Sequence, residues 1–95
     1  MVKAFIKRRV PQDKARDMIP LFRKMRSMAM EQQGYISGET LKNYNDPEEY
    51  LVISVWQSPE DWQRWLESRE RQQVQDEIDA LLGGRTEYAL YSPGV

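Results

Sequence analysis

From Val2 to Arg9 the residues alternate, Ala4 and Ile6 on one side against Lys3, Phe5 and Lys7 on the other, and Pro11 closes the extended run. That period of two predicts a strand. From Asp13 to about Gln32 the period lengthens. Ala15, Met18, Ile19, Phe22, Met25 and Ala29 recur on one stripe, with Lys14, Arg16, Arg23, Lys24 and Arg26 facing away. The pattern predicts an amphipathic helix. Pro20 removes one backbone hydrogen bond within it and predicts a tolerated bend, and Gly34 is the expected C-cap.

Two extended segments follow, Tyr35 to Tyr44 and Glu49 to Gln57, joined by Asn45, Asp46 and Pro47. Those residues supply turn chemistry, so the pair reads as a β-hairpin. Ser58-Pro59-Glu60-Asp61 is a helix start: a capping hydroxyl, a proline suited to the first helical position, and acids at the positive end of the dipole. Trp62, Trp65 and Leu66 share a face. Ser68 caps a further helical segment carrying Val74, Ile78, Leu81 and Leu82, which Gly83 and Gly84 end. Thr86 to Tyr91 predicts a last short strand, followed by a tail.

The order is β-α-β-β-α-β with a split second helix, the signature of a ferredoxin-like α+β fold with helices on one sheet face. The hairpin's second arm complicates this. Tyr50, Val52 and Trp56 occupy even positions, while Leu51, Ile53 and Val55 occupy odd ones. Neighbouring side chains point to opposite faces, so helices on one side cannot cover both sets. A lone subunit would expose an apolar patch of a kind soluble monomers seldom carry. The expected answer is a homodimer with the two sheets face to face, a dimeric α+β barrel.

Composition narrows the chemistry. With 95 residues, one domain spanning 1–95 is expected. Fourteen Lys and Arg against 15 Asp and Glu, well mixed, give no basic block for nucleic acid. No apolar run approaches the length of a membrane span or a secretory core, so a cytoplasmic protein with no membrane partner is expected. Cysteine is absent, which excludes disulfides and thiolate catalysis. Histidine is absent too, and with it go Ser–His nucleophile pairs, ordinary zinc sites and histidine-ligated haem.

The block Gly34-Tyr35-Ile36-Ser37-Gly38-Glu39, then Asp46-Pro47, Tyr50 to Ser58, Trp62 and Trp65-Leu66, resembles antibiotic biosynthesis monooxygenase domains. The resemblance implies a dimeric barrel with a cavity between sheet and helices in each subunit. Some members of that family oxidise polycyclic phenols with dioxygen and no metal, flavin or nicotinamide; others degrade haem. The haem-degrading branch shares a tryptophan at Trp65, but it carries its iron-binding histidine where this chain has Gln75, and an asparagine in a first strand that here has none. The resemblance therefore implies no cofactor, and a small aromatic molecule as ligand.

Trp65, with Phe22, Met25, Phe5 and Gln75, forms the candidate ligand-binding set; no base and no metal ligand is identified. Each has a plainer reading as packing, and Trp56 and Trp62 read as cement between helix and sheet. Tyr35, Tyr44, Tyr50, Tyr88 and Tyr91 supply the phenols able to donate to a developing oxyanion. Arg8 and Arg9 read as solvated edge charges that discourage stray strand pairing, the other reading being attraction of an anionic substrate. The charges between Glu67 and Glu77 read as an exposed helical face. Three functions stay open: a cofactor-free oxygenase for a phenolic compound, a non-catalytic dimer that binds a small ligand or serves another enzyme, and residual haem binding without degradation.

Overall fold

A computed structural model describes residues 1–95. The strands are β1 (Val2–Arg9), β2 (Tyr35–Lys42), β3 (Glu49–Trp56) and β4 (Glu87–Tyr91), and the helices are α1 (Ala15–Met30), α2 (Pro59–Leu66) and α3 (Arg69–Leu82). A 3-10 turn, Gln12–Lys14, leads into α1, so the α-helix begins two residues later than the periodicity predicts and runs on through Pro20. The sheet is antiparallel in the order β2-β3-β1-β4, the ferredoxin-like arrangement.

Helix ends follow local chemistry. Ser58 Oγ accepts from the Asp61 amide at 3.1 Å, and Ser68 Oγ from the Arg71 amide at 3.2 Å, each supplying an acceptor for an orphan donor. Gly83, at φ +66°, ends α3 in the left-handed conformation. Gly34 plays another part. The C-cap of α1 is Glu31, and Gly34 turns the chain into β2 at φ +87°, where a β-carbon would run into the Asp61 side chain. Only glycine meets both demands.

Register sorts the side chains. Val2, Ala4, Ile6 and Arg8 of β1 pair with Trp56, Ser54, Val52 and Tyr50 of β3, and this row meets the helices. Lys3, Phe5 and Lys7 pair with Val55, Ile53 and Leu51 on the opposite, helix-free face. The inner face holds two apolar clusters. One gathers Val2, Ala4, Ile6, Ala29 and the three tryptophans; the other joins Val10 and Met18 to Val74 and Ile78 of α3. Full burial of such side chains stabilises by roughly 1.5–3 kcal/mol each. Along β1 the clusters are separated by one residue of the inward row: Arg8.

Candidate functional site

Arg8 is 3% exposed, on a strand interior to the sheet. This corrects its reading as an edge charge: alternation places it in the row of Ala4 and Ile6, which the helices cover. Arg9, one residue on, points outward and donates to Asp46 Oδ2 at 2.9 Å. Arg71 is likewise no part of an exposed helical face. It is 2% exposed, because it shares the α3 stripe of Val74, Gln75 and Ile78 that packs inward.

Side chains from three elements, β1, α3 and β4, link these arginines. Arg8 Nη2 donates to Gln75 Oε1 at 3.0 Å; the same oxygen accepts from the Tyr88 hydroxyl at 3.3 Å; and Arg71 Nη2 donates to that hydroxyl at 2.9 Å. Gln75 Nε2 completes the frame, donating to Asp79 Oδ1 and Thr86 Oγ1, both at 2.9 Å. Neither guanidinium forms a salt bridge. The nearest carboxylate in the network, Asp79, is reached only through Gln75. Burial pushes the Arg8 guanidinium down to about 10; Arg71 pushes the same way, while Tyr88 and Asp79 oppose the shift. Aromatic faces offset part of the lost hydration. The Arg8 guanidinium carbon lies 5.9 Å from the Phe22 centroid, and that of Arg71 lies 5.1 Å from Tyr88 and 6.0 Å from Trp62.

A pocket opens at this seam between α1, α2, α3 and the sheet. Arg8 and Arg71 line it with Phe22, Met25 and Trp65. Ile6, Val52 and Ser54 contribute from the sheet, and the exposed Arg26 stands at its margin. Glu39 also borders it, but its pairing with Ile53 belongs to the outer face. The space inside is about 40 Å³. At about 10–15 Å³ per water it holds a few waters and not yet an aromatic ring. Two buried nitrogen atoms have no hydrogen-bond partner anywhere in the chain: Nε of Arg8 and Nε of Arg71.

Three of the five residues expected to bind a ligand, Trp65, Phe22 and Met25, therefore meet at one pocket. Gln75 stands behind it, its Oε1 accepting from Arg8 and Tyr88 while its Nε2 is held by Asp79 and Thr86. Phe5 does not belong to this group. It projects from the other sheet face, edge-on to Tyr91 with centroids 5.0 Å apart, beside an open groove of about 690 Å³ that Met1, Leu51 and Pro93 also line. The reason is the strand period: if Ala4 and Ile6 face the helices, Phe5 cannot. Arg8 and Arg71 were legible in principle, since each breaks an apolar stripe with a charge. Trp56 and Trp62 are buried, 5.9 Å apart at their centroids, and Trp56 Nε1 donates to Ser54 Oγ at 3.0 Å.

Strand order and helices on one face define a ferredoxin-like α+β domain, with a small pocket between sheet and helices. Residues 1–77 match the antibiotic biosynthesis monooxygenase family, and the chain belongs to it. Solved structures share the fold at low identity. SnoaB, a cofactor-independent oxygenase from Streptomyces nogalater, superposes with a TM-score of 0.82 at 17% identity, over 97% of this chain and 92% of its own. A protein assigned to the same family from Deinococcus radiodurans gives 0.88 at 14%, over 100% and 94%. A conserved protein from Methanosarcina mazei Go1 gives 0.86 at 16%, over 95% and 89%. The search among curated proteins returns no match. No helix is long and apolar enough to cross a membrane.

Proposed function

We propose that this chain is a cofactor-independent monooxygenase that works as a cytoplasmic homodimer and oxidises a small phenolic compound with dioxygen. One observation carries the reading: an apolar pocket walled by Trp65 and Phe22 holds two buried guanidiniums, neither of them in a salt bridge. Fixed positive charge in a water-poor site favours the ionised form of a bound phenol and the negative charge that develops as it reacts. The phenolate passes one electron to dioxygen, giving a phenoxyl radical and superoxide. These combine at a ring carbon para to the oxygen. Proton transfer and O–O cleavage then release water, and one oxygen atom stays on the ring as the second quinone carbonyl. Phenol and dioxygen thus yield quinone and water, with no external reductant. The chain's own part is to hold the ring, exclude bulk water and stabilise the anion.

The dimer is supported by the bare sheet face. Phe5, Leu51, Ile53 and Val55 are only half-buried there, and Leu41 and Tyr91 are exposed. Covering that face is what a second sheet would do. The closed pocket, about 40 Å³, favours a second reading, a non-catalytic accessory domain whose helices simply pack on its sheet. An oxygen electrode separates the two. Oxygenase activity predicts stoichiometric dioxygen uptake with an anthrone or a naphthol unsubstituted para to its hydroxyl in metal-free buffer, reduced at least tenfold in Arg71→Gln. No uptake above the protein-free rate across such a panel would leave the accessory reading standing.

A further inference from the structure

The two partnerless nitrogens point beyond a generic anion. Arg8 and Arg71 are each more than nine-tenths buried, line the same pocket and have their Nη2 atoms occupied by Gln75 and Tyr88. Each retains an Nε–H with nothing to receive it. A buried donor left without an acceptor is costly, so two of them on cations are a standing demand for acceptors. The frame that fixes the guanidiniums also prevents them from turning away. Gln75 is locked from behind by Asp79 and Thr86, and Tyr88 is held between Gln75 and Arg71. We infer that the pocket recognises a carboxylate, one oxygen on each Nε–H, and that its ligand is an aromatic acid whose ring lies between Phe22 and Trp65.

Count, charge and size favour a carboxylate over a phenol oxygen for this position. A carboxylate is ionised throughout the neutral range and brings two acceptor oxygens; a phenol arrives neutral near pH 7 and brings one. Charge-assisted N–H···O⁻ bonds are roughly twice as strong as neutral ones. The existing space, about 40 Å³, suits a carboxylate head, with the ring displacing the flexible Met25 side chain from the pocket's wall. The inference deepens the oxygenase reading by naming a substrate class, a hydroxylated aromatic acid whose carboxylate takes the two Nε–H groups and whose ring hydroxyl keeps the longer-range field of the guanidiniums, but carboxylate recognition itself does not depend on catalysis.

Binding is measured on the full chain with benzoate and salicylate against their neutral isosteres benzamide and salicylamide, by calorimetry at constant chloride. The acids are expected to bind at least tenfold more tightly, and Arg8→Met or Arg71→Met to erase that preference. Arg9→Gln, at an exposed arginine, should keep it. Nitrogen-15 NMR of the unmutated protein gives an answer that does not depend on folded variants: two solvent-protected arginine Nε–H resonances should shift with benzoate and stay in place with benzamide. Equal affinity for acids and amides, or no protected Nε–H signal responding to benzoate, overturns the inference. Tight binding of salicylate with no dioxygen uptake by any hydroxybenzoate would retain it and remove the oxygenase reading; turnover of neutral phenols without acid preference would do the reverse.

Discussion

Replacing Arg8 with methionine should make the protein more stable, although it deletes a buried hydrogen bond. Burial brings the Arg8 guanidinium down to about 10, well below where an ordinary one loses its proton. At about 1.4 kcal/mol per tenfold change, keeping the charge in the fold costs roughly 3 kcal/mol. The sign follows from proton linkage: the folded state binds this proton less tightly than the unfolded chain, so the cost is present at every pH below about 10 and fades only as pH rises above it. Against that gain stand the lost bond to Gln75, about 1 kcal/mol, and the contact with the Phe22 face, about 0.5–1 kcal/mol. Methionine keeps the unbranched stem and removes the charge, and Gln75 Oε1 still receives the Tyr88 hydroxyl. The balance is a stabilisation of about 1–2 kcal/mol, or a Tm higher by about 5–10 °C for a chain of this size. Urea and thermal unfolding at pH 7, at fixed protein concentration and without carboxylate ligands, would read it. A variant less stable by 1 kcal/mol or more would show that Arg8 supports the fold, and the case for an unmet charge held for a ligand would fall.

Other consequences are local. Gly34→Ala should destabilise by about 2 kcal/mol or more, because φ +87° and the Asp61 side chain both oppose a β-carbon; an unchanged denaturation midpoint would contradict this. The Arg9 hydrogen bond holds the Asp46 carboxyl below the usual carboxylate range, so its contribution is present at neutral pH and is lost as pH falls through the lowered value. NMR titration of Arg9→Gln should show the Asp46 pKa returning upward, and no movement would refute the pairing. Ile53→Asp, on the helix-free face opposite Phe5, should give an 11.3 kDa monomer by light scattering where the parent chain is twice that mass. A parent chain already monomeric would remove the dimer.

Much of the architecture was legible in the residue order because it rests on neighbours. The period-two pattern of β1, the stripe of α1, the serine caps at Ser58 and Ser68 and the left-handed Gly83 are settled within a few residues of chain. The apolar run Tyr50 to Trp56 carried the further message that both faces of β3 need cover, and the register divides it into the two rows expected. Trp65, Phe22 and Met25 meet because each lies on the inward stripe of its helix.

Only the tertiary structure decided what two arginines do. Arg8 and Gln75 are 67 positions apart, and Arg71 reaches Tyr88 from a different helix–strand layer, so no local pattern joins them. A charge on an apolar stripe is ambiguous while its neighbours are unknown: at an edge it is solvated, and beneath a helix it is stripped of water. Alternation sets Arg8 and Arg9 on opposite faces of β1, and only packing decides which face is covered: α3 lies over the row of Arg8 and brings Gln75 to it, leaving Arg9 to the solvent.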